Sequence, residues 1–365
     1  MNVLLLTDEM HPSGTARHIV DLANGLHEAG AVVVVASTDG AFRRQLHEAI
    51  PFIPLRLIGT TSSRKPMHGF IGAVTSLYRV VRRYDIQVIH SHKRYTDMLG
   101  RIVARLTGKV HVSTCHNIFT NNKRLSPFGD LTIACSHVVF DQLVRFFGVP
   151  PGRISMVYSG CRPFMRYDED ECIAVRKALS LAPRVRLIAS VGHFTTAKDR
   201  ETLIRAISLI KGVVRRQNAL LAIVGEGKEQ DRMWKIVESD DLKDIVRFYP
   251  ARTHVEGVMN VAEFLVLSSV QEGLPYVLLE AASLSKPHIA TSVGGVPEFV
   301  LHDETGLLVP AKNSEALGEA IERLLIRPEQ TKKLGDNAYQ RFVEFHSMKR
   351  FITDTLLVYE RALKR

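Results

Sequence analysis

Residues 269–298, SVQEGLPYVLLEAASLSKPHIATSVGGVPE, concentrate more chemistry than any other stretch of the chain. Two carboxylates, Glu272 and Glu280, stand eight positions apart. The first precedes a turn, Gly273-Leu274-Pro275-Tyr276, and the second rides on an apolar run of helical spacing over 276–284. A short strand over 288–291 and a Gly294-Gly295 turn closed by Pro297-Glu298 follow. This spacing puts one carboxylate at a loop mouth and the other about two turns down the next helix. Two acceptor groups beside a helix N-terminus suit a ligand that carries both hydroxyls and phosphates.

Three glycine turns repeat the theme. The loop over 7–15 ends in Ser13-Gly14-Thr15 and feeds a helix. Gly192-His193 follows another strand, and Lys198 stands at the start of the next helix. Gly225 follows a third strand in Val224-Gly225-Glu226-Gly227. A glycine there lets backbone N–H groups approach a phosphate, and a lysine ammonium can neutralise one. Taken singly, the Gly14 loop is favoured as an ordinary turn and Lys198 as a surface lysine, and one glycine is not a GxGxxG dinucleotide fingerprint. Two further strands end in His90-Ser91-His92 and Cys115-His116-Asn117. Two histidines without clustered carboxylates make a poor metal site, so buried or hydrogen-bonded imidazoles stay an equal reading. Asp168-Glu169-Asp170 has the Asp-x-Asp form that grips metal-bound diphosphates elsewhere, but its position away from a strand end favours a solvated helix start.

The elements that must position these groups alternate. Strands are predicted over 2–7, 31–36, 52–57, 86–90, 110–114 and 131–135, with helices over 16–29, 69–83 and 96–106. Prolines and glycines loosen the pattern over 148–167, the best linker candidate. Strands over 185–191, 220–224, 245–248, 264–267 and 288–290 then alternate with helices, and 314–363 is nearly all helical. Such alternation predicts two α/β domains, each with a parallel sheet. The boundaries expected are 1–163, 164–345 and a last helical segment, 346–365.

The 365 residues suffice for two domains, and 45% apolar content is that of a globular chain. MNVLLLTDEM lacks a basic n-region and is too short for a signal peptide or a membrane span, so a cytoplasmic protein with free thiols at Cys115, Cys135, Cys161 and Cys172 is expected. Residues 1–163 hold 19 Lys and Arg against 10 Asp and Glu, whereas 164–365 hold 29 against 28. The excess gathers in Arg64, Lys65, Arg79, Arg82, Arg83, Lys93, Arg94, Arg101, Arg105, Lys109, Lys123 and Arg124. A basic face of this kind attracts an anionic membrane or an anionic acceptor, or is simply solvated. No aromatic-interleaved basic run points to nucleic acid.

Together these segments resemble the retaining glycosyltransferases of family 4. EGLPYVLLEA, KPHIATSVGGVPE and Gly306-Leu-Leu-Val-Pro310 are the most specific parts of a resemblance that spans essentially the whole chain. It implies the GT-B fold: two facing Rossmann-like, doubly wound domains with a deep cleft between them. The second would bind a nucleotide-diphosphate sugar and the first a glycan or lipid-linked acceptor, without a metal or other cofactor. By the same resemblance Glu280 would bind the ribose, and Glu272 the sugar, with Gly273, Leu274 and Tyr276 lining it. Lys198, with Gly192, His193 and Gly225, would hold the diphosphate, and Gly14 would close over it. His116 would lie near the reacting sugar, with His90 and His92 on the acceptor side. The family often has arginine where His193 stands, and histidine lacks the bidentate guanidinium fork. It has Asn-Gly where this chain has Ser159-Gly160. The function implied is transfer of a hexose with retention, in cell-envelope polysaccharide or lipopolysaccharide assembly. Peripheral attachment to the inner face of the cytoplasmic membrane is left open. The alternatives are a non-catalytic donor-binding subunit of a glycan-assembly complex or a nucleotide-sugar epimerase, with an NAD-dependent dehydrogenase last.

Overall fold

The computed structural model of the protein describes residues 1–11, 13–55, 67–118 and 128–365. Arg64, Lys65, Lys123 and Arg124, and the end of the strand expected over 52–57, lie outside them. The chain divides into two compact units, Met1–Arg162 with Phe345–Arg365, and Pro163–Glu344.

In the first unit the order is β1 (Asn2–Leu6), α1 (Gly14–Glu28), β2 (Val32–Ser37), β3 (Phe52–Pro54), α2 (Met67–Arg83), β4 (Val88–Ser91), α3 (Arg94–Thr107), β5 (Val110–Cys115), β6 (Leu131–Ala134), α4 (His137–Arg145) and β7 (Ile154–Met156). The strands form one parallel sheet in the order β3-β2-β1-β4-β5-β6-β7. Parallel strands are covered on both faces, which is why β1 and β2 read as unbroken apolar runs rather than alternating ones. Helix α1 starts where the Ser13 side chain accepts from Ala16 N–H at 3.2 Å, and it buries Ile19, Leu22, Ala23 and Leu26. Two elements escaped the sequence pattern. Helix α4 is short, and β7 lies inside the expected linker, pairing Ile154 with Thr132 at the sheet edge.

The second unit runs α5 (Glu169–Ala178), β8 (Arg186–Val191), α6 (Arg200–Leu209), α7 (Lys211–Arg216), β9 (Ala219–Val224), α8 (Gln230–Ser239), β10 (Val246–Tyr249), α9 (Val255–Val261), β11 (Ala262–Leu267), α10 (Tyr276–Ser283), β12 (His288–Thr291), α11 (Val296–Phe299), β13 (Gly306–Val309), α12 (Ser314–Ile326) and α13 (Pro328–His346). Its parallel sheet has the order β10-β9-β8-β11-β12-β13. Phe194, Leu203, Ile223, Phe264, Ile289 and Ile321 lie in its core. Asp168 caps α5, accepting from Glu171 N–H at 2.8 Å while the Glu171 carboxylate accepts from Asp168 N–H at 2.9 Å. This reciprocal box accounts for the Asp-x-Asp pattern without a metal.

Helix α14 (Met348–Leu363) belongs to the first unit and buries Phe351, Ile352, Val358 and Tyr359 in its core. A Cβ on Gly160 would come within 2.4 Å of Phe351 Cβ, so glycine is required where the chain passes this helix. The four cysteines are free thiols, as expected. In each sheet the chain reverses direction once, between β1 and β4 and between β8 and β11. In open α/β sheets such reversals leave a crevice at the carboxyl ends of the strands, where ligands bind.

Candidate functional site

The reversal in the second sheet gathers most of the expected donor-binding residues. Strand β8 ends into Gly192, β9 into Gly225, and β11 into the segment that carries Glu272. Gly192 has φ +138° and Gly225 φ +157°, a region closed to other residues. A Cβ on Gly225 would lie 2.1 Å from the Gly192 carbonyl oxygen, so the two turns are in direct contact. Across from them Lys198 Nζ donates to Glu272 Oε1 at 2.5 Å, and Ser269 Oγ donates to the same oxygen at 2.6 Å. Two bonds fasten the loops behind this pair: Val270 N–H to the Ala197 carbonyl at 2.9 Å, and Ser268 Oγ to the Lys198 carbonyl at 2.9 Å. The side chains of Lys198 and Glu272 are 24% and 11% exposed, so solvent screens their charges only in part while leaving them reachable.

Arg200 was not anticipated. Its guanidinium is fully buried, with Nη1 donating to Ser190 Oγ and Nη2 to the Gly192 carbonyl at 3.2 Å. Burial lowers its pKa to about 10, opposed by the nearby Glu272 charge, so it stays cationic at neutral pH. The site therefore has a second fixed positive charge directly beneath the Gly192 turn. A sequence signal existed: a cation at the first position of α6 opposes the helix dipole and calls for a reason.

The remaining donor-side residues cluster around α10. Gly273 N-terminally flanks it and its carbonyl accepts from Gly295 N–H at 2.8 Å. Leu274 and Tyr276 are buried, and Glu280 is half-buried on α10. Glu280 stands four positions after Tyr276, the first residue of the helix, so it lies about one turn in rather than the two expected. His193 is exposed, with Nδ1 3.3 Å from the Glu226 carbonyl. In the first unit Gly14 opens α1 and is exposed at its N-terminus.

The reversal in the first sheet gathers histidines. His90 is fully buried, with Nδ1 2.6 Å from Tyr359 Oη and Nε2 2.7 Å from Thr114 Oγ1. Both nitrogens are engaged inside the fold, which leaves His90 no ring nitrogen for the acceptor contact expected of it. His92 Nδ1 lies 3.2 Å from His116 Nε2, and the His18 ring on α1 packs edge-on at 4.5 Å from that of His116. Burial, chiefly, holds His18, His90 and His92 well below the ordinary histidine range, and lowers His116 to about 4, with Lys93 adding to the effect. All four are neutral imidazoles at physiological pH. His18 carried no signal in the sequence beyond its place on a buried helix face.

Two doubly wound domains, with paired charges and glycine turns at strand ends, define the class of α/β proteins that hold phosphate-bearing ligands at a sheet reversal. Comparison with known proteins gives the family. Residues 174–341 match the model of Glycosyl transferases group 1, and residues 12–163 that of Glycosyltransferase Family 4. The chain belongs to the group 1, family 4 glycosyltransferases, and its two α/β domains are those of the GT-B fold. It is 28% identical over 309 residues to a D-inositol 3-phosphate glycosyltransferase of Saccharomonospora viridis, covering 77% of this chain and 70% of the relative. It is 24% identical to a subunit of the phosphatidylinositol N-acetylglucosaminyltransferase of Arabidopsis thaliana, covering 100% and 83%. Anabaena HepE, solved in complex with UDP-glucose, superposes with a TM-score of 0.85 at 18% identity, over 99% of this chain and 100% of that one. Glycosyltransferase activity is thereby the coarse function of the protein. Among the described residues no helix is long and apolar enough to cross a membrane.

Proposed function

We propose that the protein transfers a hexose, with retention of configuration, from a nucleoside-diphosphate sugar to a glycan or lipid-linked acceptor. The observation that carries this reading is the Lys198–Glu272 pair with Arg200 beneath the touching Gly192 and Gly225 turns. Two cations and turn amides suit a departing diphosphate, and such groups contribute most when they are fixed before charge develops. Arg200 supplies a guanidinium beside the turn where the family often has arginine in place of His193, which weakens the case for a donor-binding subunit without turnover. Glu280 would accept from ribose hydroxyls and Glu272 from the sugar, releasing Lys198 to the phosphates as the donor arrives. With the charges met by side chains, the phosphates need no divalent ion. Within the first unit the acceptor would bind near His92 and His116, at the carboxyl ends of β4 and β5. Among the described residues no second carboxylate is placed as an obvious nucleophile, which favours attack from the face the leaving phosphate departs, with that phosphate taking the acceptor's proton.

The acceptor is expected to be anionic. Both relatives above are named for inositol-phosphate compounds, and the exposed side of α2 carries Arg79, Arg82 and Arg83 beside exposed Ile71 and Tyr78. The basic face is narrower than the composition suggests. Lys93 is paired with Glu9 at 3.0 Å, Lys109 with Asp85 at 3.4 Å, and Arg101 donates to the Phe128 carbonyl at 2.9 Å. A surface of this kind suits lipid-linked glycans at an anionic cytoplasmic membrane face, as in cell-envelope polysaccharide or lipopolysaccharide assembly. A thermal-shift screen of nucleotide sugars, followed by transfer to phosphorylated and lipid-linked acceptors in the presence of a chelator, tests the reading. Donor-dependent stabilisation with retained anomeric configuration supports it. Release of free sugar epimer without acceptor, or donor binding with no turnover on any acceptor, overturns it.

A further inference from the structure

We propose that His18, His92 and His116, all within the first unit, form a binding site for a borderline divalent transition-metal ion of the Zn²⁺ or Co²⁺ type. Each offers one ring nitrogen, and these nitrogens all lie within 4.8 Å of one another. His92 and His116 already bring two nitrogens to 3.2 Å. That is close to the edge of a tetrahedron whose metal–nitrogen bonds are about 2.0–2.1 Å, which is about 3.3 Å.

A second observation points the same way. His92 Nε2 is buried and has no hydrogen-bond partner among the described residues. Hydrogen bonding within the cluster therefore leaves this imidazole incompletely satisfied, and an orphaned buried polar group is destabilising. Turning the ring over would present Nε2, in place of Nδ1, to the cation. The donor set selects the ion: three neutral imidazoles with no carboxylate suit Zn²⁺, Co²⁺, Ni²⁺ or Cu²⁺ and disfavour Mg²⁺ or Ca²⁺. His116, the most exposed of the three, gives the approach. A fourth position remains for water, hydroxide or an anionic oxygen, which would offset the buried charge. His90, held between Tyr359 and Thr114 with its ring centroid 4.1 Å from that of His92, backs the site. The ion would clamp α1 to the ends of β4 and β5.

The test needs neither donor nor acceptor, so it stands or falls separately from the transferase reading. The full chain, stripped of metal, is dialysed against Zn²⁺, Co²⁺ or Mg²⁺, and bound metal and visible absorption are measured. Expected are stoichiometric Zn²⁺ and Co²⁺, intense four-coordinate Co²⁺ bands, and no Mg²⁺. His18→Ala and His92→Ala should each weaken Co²⁺ binding by more than about 100-fold, beyond what loss of an outer-shell partner costs. His47→Ala, which alters an exposed histidine, should not. If His92→Ala fails to fold by circular dichroism, His18→Gln replaces it. Absence of four-coordinate Co²⁺ bands, or full affinity in the folded His18 variant, overturns the proposal.

Discussion

Lys198 and Arg200 divide one task between an accessible and a buried cation. Lys198 is held by Glu272 at 2.5 Å and can exchange that partner for phosphate, whereas Arg200 is locked to Ser190 and the Gly192 carbonyl. Lys198→Ala is expected to lower transfer by about 100-fold or more, the usual cost of losing one charge-stabilising donor. Its melting temperature should change little, because a partly exposed ion pair contributes little stability. Steady-state transfer with a denaturation control checks both halves, and full activity in the variant would remove Lys198 from the mechanism. Arg200→Lys keeps a charge but loses the second bond of the fork, so reduced donor affinity with measurable residual turnover is expected. Titration with nucleoside diphosphate measures it, and unchanged affinity would leave Arg200 a purely structural residue.

Strand-end turns and packed helices set these groups in place. Gly225→Ala drives a Cβ into the Gly192 carbonyl at 2.1 Å and must displace one of two touching turns. Displacement of a positioning element by about 1 Å costs on the order of 100-fold in rate. The variant should fold yet transfer poorly, as steady-state kinetics beside a circular dichroism spectrum would reveal; normal kinetics would mean the turn can shift without cost. Helix α14 offers a separate test, because Tyr359 Oη and His90 Nδ1 meet at 2.6 Å in a fully buried place. Tyr359→Phe leaves that nitrogen unpartnered and should destabilise the first unit by about 1–3 kcal/mol. Urea unfolding measures it, and an unchanged midpoint would show that the pair contributes nothing net.

At the scale of the whole molecule, the two units should respond differently to acid. The fold favours neutral His18, His90 and His92, with His111 and His116 lowered to about 4, all mainly by burial and all in the first unit. Their stabilising contribution is complete above the unfolded histidine value near 6.5 and is lost progressively as pH falls below it, down to about 4 for His111 and His116. In the second unit only His288 among the described residues is so lowered, to about 3, so that unit loses less stability over the same interval. Trp234, the single tryptophan, lies in the second unit and reports on it alone. Between pH 6.5 and 4 helical signal should fall before Trp234 emission changes, and coincident transitions would refute the difference. The sequence by itself determined the strand–helix alternation, the glutamate pair, Lys198 and the glycine turns. Local spacing and turn chemistry are written along the chain, and the family resemblance rests on those same segments. It left β7 inside an expected linker and put Glu280 a turn too deep, because Pro275 and the turn before it consume residues that spacing alone assigns to the helix. Only the tertiary structure decided that Arg200 lies beneath Gly192 and that His18 joins His92 and His116. Those neighbours are far apart or unremarkable in sequence, and they meet because each parallel sheet reverses its strand order once and aims several strand ends at one place.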